Sequence, residues 1–359
     1  MSPIDASLAG KAQTVLGPIA PESLGVTLPH EHCYMDLSAR FVPPQEATLL
    51  GLAYQPVSLE NRWFVNYHAT GNLDNLKLDD ERVITDEVVR FKKAGGGSIV
   101  DMSNIGLGRD PRALAALSRM TGVNLVMGSG HYVEPSVPGG LEMDEYEIAD
   151  CITRDVHEGV GNTGIRAGLI GEIGCSWPVT QNEQKSLRAA ARAQRTTGAP
   201  INFHPGFSPD AVFLGARVLE EAGADLSHVA ISHVEARVFD HEKRLELARM
   251  GFLLEFDLFG VEGYQRIRMV YSEDNPMPAH MPNDGTRVEM MMALCDAGFA
   301  DRVLISPDIC TKHRLCTYGG HGYAHILLNA VPLMREKGLD GPTIRLFMVD
   351  NPARLLTFV

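Results

Sequence analysis

Short apolar runs recur along the chain, each followed by a longer stretch in which apolar positions return every three or four residues. Eight runs predict strands: 25–30 (GVTLPH), 97–103, 124–130, 167–174 (AGLIGEIG), 201–204 (INFH), 229–233 (VAISH), 252–257 and 302–308 (RVLISPD). Between them the helical period covers 80–95, 111–121, 143–158, 182–198, 210–223, 240–250 and 286–298, with more helix after 322. The helix at 182–198 is expected to start at an Asn182 cap and to stop at Gly198. Strands this uniformly apolar suit a parallel sheet covered on both faces. Repeated strand–helix units predict the α/β class and a (β/α)8 TIM barrel, with a doubly wound open sheet as the alternative. No linker, repeat or low-complexity run divides the chain, so one domain over 1–359 is expected. It carries a long elaborated connection at about 33–80 that includes Trp63, Tyr67 and His68.

Composition narrows the function. Hydrophobic residues make up 45% of the chain, and 32 basic against 45 acidic side chains leave a net charge of −13. That balance argues against nucleic acid or an anionic membrane as partner and leaves a small-molecule substrate. No run approaches the roughly 20 apolar residues of a membrane span. The start, MSPIDASLAGKAQTVLG, lacks the basic and apolar segments of a secretory leader. The six cysteines include no CxxC pair and read as reduced thiols, so a cytoplasmic location is expected. A homodimer is compatible with symmetry and with the connection bearing Trp63.

The chemistry gathers at strand ends. His30 and His32 are two apart on the first strand and so share a face. Glu172, His204, His233 and Asp308 end the fourth, fifth, sixth and eighth strands. Barrel chemistry sits at the C-terminal rim, built from residues of several strands. Any one of these side chains alone is weak; the ordered set points to metal. Four imidazoles and two carboxylates fit two divalent ions, with zinc the expected metal. In this assignment His30, His32 and Asp308 hold one ion, His204 and His233 the other, and Glu172 bridges them. A metal-bridging hydroxide would attack the substrate, with Asp308 shuttling the proton.

At these residues the sequence resembles the phosphotriesterase family of the amidohydrolase superfamily. The segments TLPHEH, GLIGEIGCSWP, FHPG and YGGHGYAHIL are most similar to the phosphotriesterase-related branch, also labelled resiniferatoxin-binding. The resemblance implies a (β/α)8 barrel and a binuclear, usually zinc, centre on His30, His32, Glu172, His204, His233 and Asp308. Phosphotriesterases proper bridge their metals with a carboxylated lysine. Here Glu172 stands in that place, and the next lysine is Lys185, well into the following helix. The expectation is therefore a metal-dependent hydrolase of a small ester, lactone or amide, such as an N-acyl amino acid. A phosphotriester hydrolase is the second enzyme reading. A non-catalytic ligand-binding protein with a retained metal site is the reading from another class.

Substrate contacts are less determined. Tyr132 could form a pocket wall. Arg237, Lys312 and Arg314 could meet a carboxylate or sulfonate-like tail, or be solvated loop charges. His131 could support a ligand from behind. Glu255 and Asp257 share a strand face and could orient ligands or anchor loops. His321 and His325 could contact the site or cap a helix. Glu31 should point away from its two histidine neighbours and anchor the turn.

Overall fold

The computed structural model describes residues 8–265 and 279–359; residues 1–7, part of the start read as lacking a leader, lie outside it. Eight parallel strands make one sheet: β1 (Thr27–Glu31), β2 (Ser98–Asp101), β3 (Asn124–Ser129), β4 (Leu169–Gly174), β5 (Ile201–His204), β6 (Val229–Ile231), β7 (Leu253–Phe256) and β8 (Val303–Ile305). Each is hydrogen-bonded to its sequence neighbour, in the order β8 to β1. Side chains close the ring between β1 and β8. The carboxylate of Glu31 accepts hydrogen bonds from the Ser306 hydroxyl at 2.6 Å and from the Ile309 amide at 2.8 Å. The result is the TIM barrel that the alternation of runs predicted, and the doubly wound sheet is set aside.

The helices form where the amphipathic stretches lie: α1 (Glu81–Lys93), α2 (Pro111–Thr121), α3 (Glu145–His157), α4 (Gln181–Thr197), α5 (Pro209–Glu221), α6 (His241–Met250) and α7 (Asp284–Asp296). Each starts at a side chain that accepts from the first-turn amides, among them Asp80, Asp110, Asp144 and Ser208. The start of α4 differs from expectation. Thr180 caps it in a reciprocal box with Glu183, while the Asn182 amide donates to Glu134. A box satisfies two backbone donors at once, so it sets the start earlier than Asn182 could. Gly198 ends the helix in the left-handed conformation, as expected.

The strands bury side chains such as Ile99, Leu125, Ile201, Val229 and Leu254 completely. Alanines 189, 190, 191 and 193 let α4 lie close against its neighbours. The connection from β1 to α1 contains a short antiparallel pairing of Met35–Asp36 with Lys77–Leu78, and short helices Ala47–Leu50 and Arg62–Tyr67. It is fastened to the loop after β8 through Lys312 to Asp74 (2.7 Å) and the His313 amide to Asn75 (2.9 Å). The two segments thereby bracket the C-terminal mouth of the barrel. All six cysteines are free. Among the described residues no helix is long and apolar enough to cross a membrane.

Candidate metal centre

An open cavity of about 740 Å3 occupies the C-terminal end of the barrel. The strand order brings His30, His32, Glu172, His204, His233 and Asp308 together at its floor. All six are buried. Two of them, His233 (φ 57°) and Asp308 (φ 45°), adopt the left-handed backbone region that non-glycine residues avoid. Such outliers collect where function fixes a side chain's direction. Here they sit just past the ends of β6 and β8 and turn the side chains inward.

Three of the rings are gripped from behind. His30 Nδ1 lies 3.1 Å from Glu255, His32 Nδ1 lies 3.0 Å from the Ser103 hydroxyl, and His233 Nδ1 lies 2.7 Å from Asp257. That leaves each Nε2 facing the floor, where the neutral form of the ring presents a lone pair. His204 is reversed: its Nε2 meets the Tyr132 hydroxyl at 3.3 Å and its Nδ1 faces inward. There Nδ1 is 2.7 Å from Glu172 Oε2, out of line for a hydrogen bond, and 2.9 Å from His233 Nε2. Glu172 also comes within 3.7 Å of His30 Nε2 and 3.5 Å of His32 Nε2. Asp308 Oδ1 is 3.5 Å from His32 Nε2.

Burial sets the protonation states. It lowers the His32 imidazole to about 4 and depresses His204 and His233, so all three are neutral donors at pH 7. Burial alone would lower His30 too, but the carboxylates of Asp257 and Glu255 outweigh it and raise that ring well above its ordinary value. A carboxylate behind an imidazole makes it a stronger donor. Burial works against ionised Glu172, yet the surrounding histidines hold its carboxyl down to about 2. Burial raises Asp308, partly countered by Arg314.

This donor set fits divalent metal. His30 Nε2, Glu172 Oε2 and Asp308 Oδ1 are buried and without a hydrogen-bond partner, an arrangement costly to maintain unless a cation meets them. The close groups are His30–His32–Asp308 and His30–Glu172–His233, with donor atoms within 4.8 Å of one another. The second differs from the expected division, because His30 lies as near to Glu172 and His233 as to its own group. A third group, His30–Glu255–Asp257, is accounted for by hydrogen bonds behind the floor.

The expected substrate contacts separate. Tyr132, Arg237 and Arg314 line the cavity; Lys312 does not. Lys312 pairs outward with Asp74 and Asp79, because the loop after β8 turns there to meet the β1–α1 connection. Arg314 donates to the Asp308 carbonyl and sits 3.4 Å from its Oδ2, so it braces Asp308. His325 pairs with Asp284 at 2.7 Å, away from the floor. No lysine lines the cavity among the described residues, and Lys185 bonds Leu141 and Asn182 on the helix surface. Sequence reasoning missed Ser103, Arg40 and Phe207. Ser103 follows β2 by two residues and could have been sought as a ligand support; Arg40 and Phe207 carried no signal.

Residues 10–356 match the model of the phosphotriesterase family. The chain is 42% identical to an N-acetyltaurine hydrolase of Xenopus tropicalis over 356 residues, 98% of this chain and 99% of that one. In structure it is similar to a resiniferatoxin-binding protein from Rhodobacter sphaeroides, with 38% identity, a TM-score of 0.90, and coverage of 97% and 95% of the two chains. It is also similar to a lactonase from Listeria monocytogenes, at 25% identity and a TM-score of 0.75 over 97% of this chain and 99% of that one.

Proposed function

The chain belongs to the phosphotriesterase family, and from that premise we propose that this hydrolase is a two-zinc amidase acting on small N-acylated acids of the N-acetyltaurine type. The observation that carries the proposal is one cavity joining two features: a floor of imidazoles and carboxylates with unpartnered atoms, and a wall bearing buried arginine. A glutamate in place of a lysine at the centre of the floor favours this reading over phosphotriester hydrolysis. Imidazole-rich ligands with carboxylates suit zinc.

His30, His32 and Asp308 would hold one ion, and His204 and His233 the other. Glu172, which faces histidines of both sets, would be shared. Bound ions supply a nucleophilic water at neutral pH and polarise the scissile carbonyl. Glu255, Ser103 and Asp257 fix the tautomers of His30, His32 and His233, so that lone pairs face inward. Asp308 presents Oδ1 unpartnered to the cavity, placed to take a proton from the attacking water and to return it to the leaving amine nitrogen. Arg314 holds the other side of that carboxylate still. Tyr132 closes one wall and positions His204. The unpaired thiols support a reducing, cytoplasmic setting.

The test is turnover by zinc-loaded protein on N-acetyltaurine, an N-acetyl amino acid, a lactone and a phosphotriester. Chelator-sensitive hydrolysis concentrated on the amides is expected. Turnover confined to the lactone or the phosphotriester would overturn the choice of bond. Binding of all four without hydrolysis would favour the non-catalytic reading.

A further inference from the structure

We propose that Arg237 and Arg40 form an anion clamp on the cavity wall, and that this clamp selects N-acyl amino sulfonates over their carboxylate and neutral counterparts. The inference deepens the amidase reading and rests on it. Arg237 is 4% exposed, and among the described residues no carboxylate lies in ion-pair range of it. Its Nε donates to the Pro205 carbonyl at 3.3 Å, and the guanidinium carbon lies 3.4 Å from the centre of the Phe207 ring. Those contacts fix the plane of the group and cover one face. Its Nη1 is buried without a hydrogen-bond partner. A buried cation left this way is costly, and an anionic ligand is what would compensate it.

Arg40 approaches from another wall. It ends the turn Ser38–Arg40 in the β1–α1 connection, and its guanidinium lies 5.2 Å over the Tyr132 ring. Both arginines line the cavity. Arg40 reaches the His204 corner over Tyr132, whose hydroxyl lies 3.3 Å from His204 Nε2, and Arg237 reaches it through the carbonyl of Pro205, the residue after His204. Two like charges are thus held on the same side of the pocket, next to the floor. Arg314, unlike Arg237, has a carboxylate partner in Asp308. The position beside His204 suits the far end of a short substrate whose amide reaches the floor.

The ligand chemistry follows from the guanidinium. A sulfonate spreads its charge over three oxygens and is weakly hydrated, so it gives up less solvation than a carboxylate on entering. It also pairs with a cation that is itself weakly hydrated. Three oxygens in a tripod can meet donors arriving from two walls, whereas a planar carboxylate has only two.

Two measurements on the zinc-loaded protein test the clamp. The first compares kcat/KM for N-acetyltaurine, N-acetyl-β-alanine and neutral N-propylacetamide. Arg237→Met should lower the ratio of N-acetyltaurine to N-propylacetamide about 30-fold or more. Arg237→Lys, which keeps charge but loses the flat fork, should fall between. Should Arg237→Met not fold, Phe207→Leu, which removes the stacking surface, should reduce the same ratio. The second is calorimetric binding of ketones that cannot be hydrolysed: 4-oxopentane-1-sulfonate, 5-oxohexanoate and 2-hexanone. The sulfonate should bind most tightly, and Arg237→Lys should weaken it more than 2-hexanone. An unchanged ratio in the Arg237 and Phe207 variants, or equal binding of the sulfonate and the carboxylate, would overturn the clamp. Arginine-dependent binding of the sulfonate ketone with no amide turnover would overturn the amidase reading and leave the clamp standing.

Discussion

Glu255→Gln isolates what the second layer of the site does. Glu255 is fully buried and touches no substrate surface of the cavity. Its Oε2 lies 3.1 Å from His30 Nδ1, 2.7 Å from the Asn202 amide nitrogen and 3.1 Å from the Ser232 hydroxyl. Its Oε1 has no partner. Glutamine can therefore keep an oxygen where the donors converge and place its NH2 in the unpartnered position. Shape and one acceptor survive; the negative charge behind His30 is lost. Loss of such a partner lowers metal affinity about 10- to 100-fold. Asp257 Oδ2 remains 3.4 Å from the same nitrogen, so the lower end applies. The expected loss is about tenfold, or about 1.4 kcal/mol. Competition with a chromophoric chelator would measure it, with thermal unfolding of the metal-free forms to show that the variant still folds. Zinc affinity within about twofold of wild type in a folded variant would refute the argument that His30 draws its donor strength from Glu255.

Three further outcomes follow from the same geometry. Asp308→Asn should lower kcat about 10²- to 10⁴-fold while the substrate is still bound, and equal turnover would remove Asp308 from proton transfer. Glu172→Ala should reduce zinc content below that of the wild type in elemental analysis, and unchanged stoichiometry would end its shared role. Asp284 gives a pH test away from the floor. Burial alone would raise its carboxyl, but the His325 ring, the Gly260 amide and Arg287 outweigh burial and hold it below the ordinary value. Its contribution is therefore complete above the unfolded value of about 3.9 and is lost as pH falls through the lower folded value. The Tm gap between wild type and Asp284→Asn should be widest near neutrality and narrow in acid; a gap constant from neutral to strongly acidic pH would contradict this.

The barrel was legible because interior parallel strands must be apolar on both faces, and VAISH or INFH can hardly be anything else. Strand ends were less so. The ladder in β6 stops at Ile231 and in β8 at Ile305, while the apolar pattern runs on into the turns that carry His233 and Asp308. Period reports burial, and those turns are as buried as the strands. The floor residues could be gathered from sequence because each follows a strand that must end at one rim. The supports behind them could not be ranked: Glu255 and Asp257 were visible as a strand pair, but their partners come from β1 and the end of β6. Lys312 and Arg314 show the limit most plainly. They are two residues apart in one basic run, yet one turns outward to Asp74 and Asp79 and the other inward to Asp308. That choice is made by the β1–α1 connection, whose path no local pattern predicts. Arg237 was left open for the same reason, since the Phe207 ring that stacks on it lies in the loop of a different strand.

The most direct test of the account is release of taurine from N-acetyltaurine by protein stripped of metal and then titrated with zinc. The account predicts no turnover without metal, and activity that rises with added zinc and levels off at two ions per chain. Full turnover in the stripped protein, or a plateau at one ion, would contradict it.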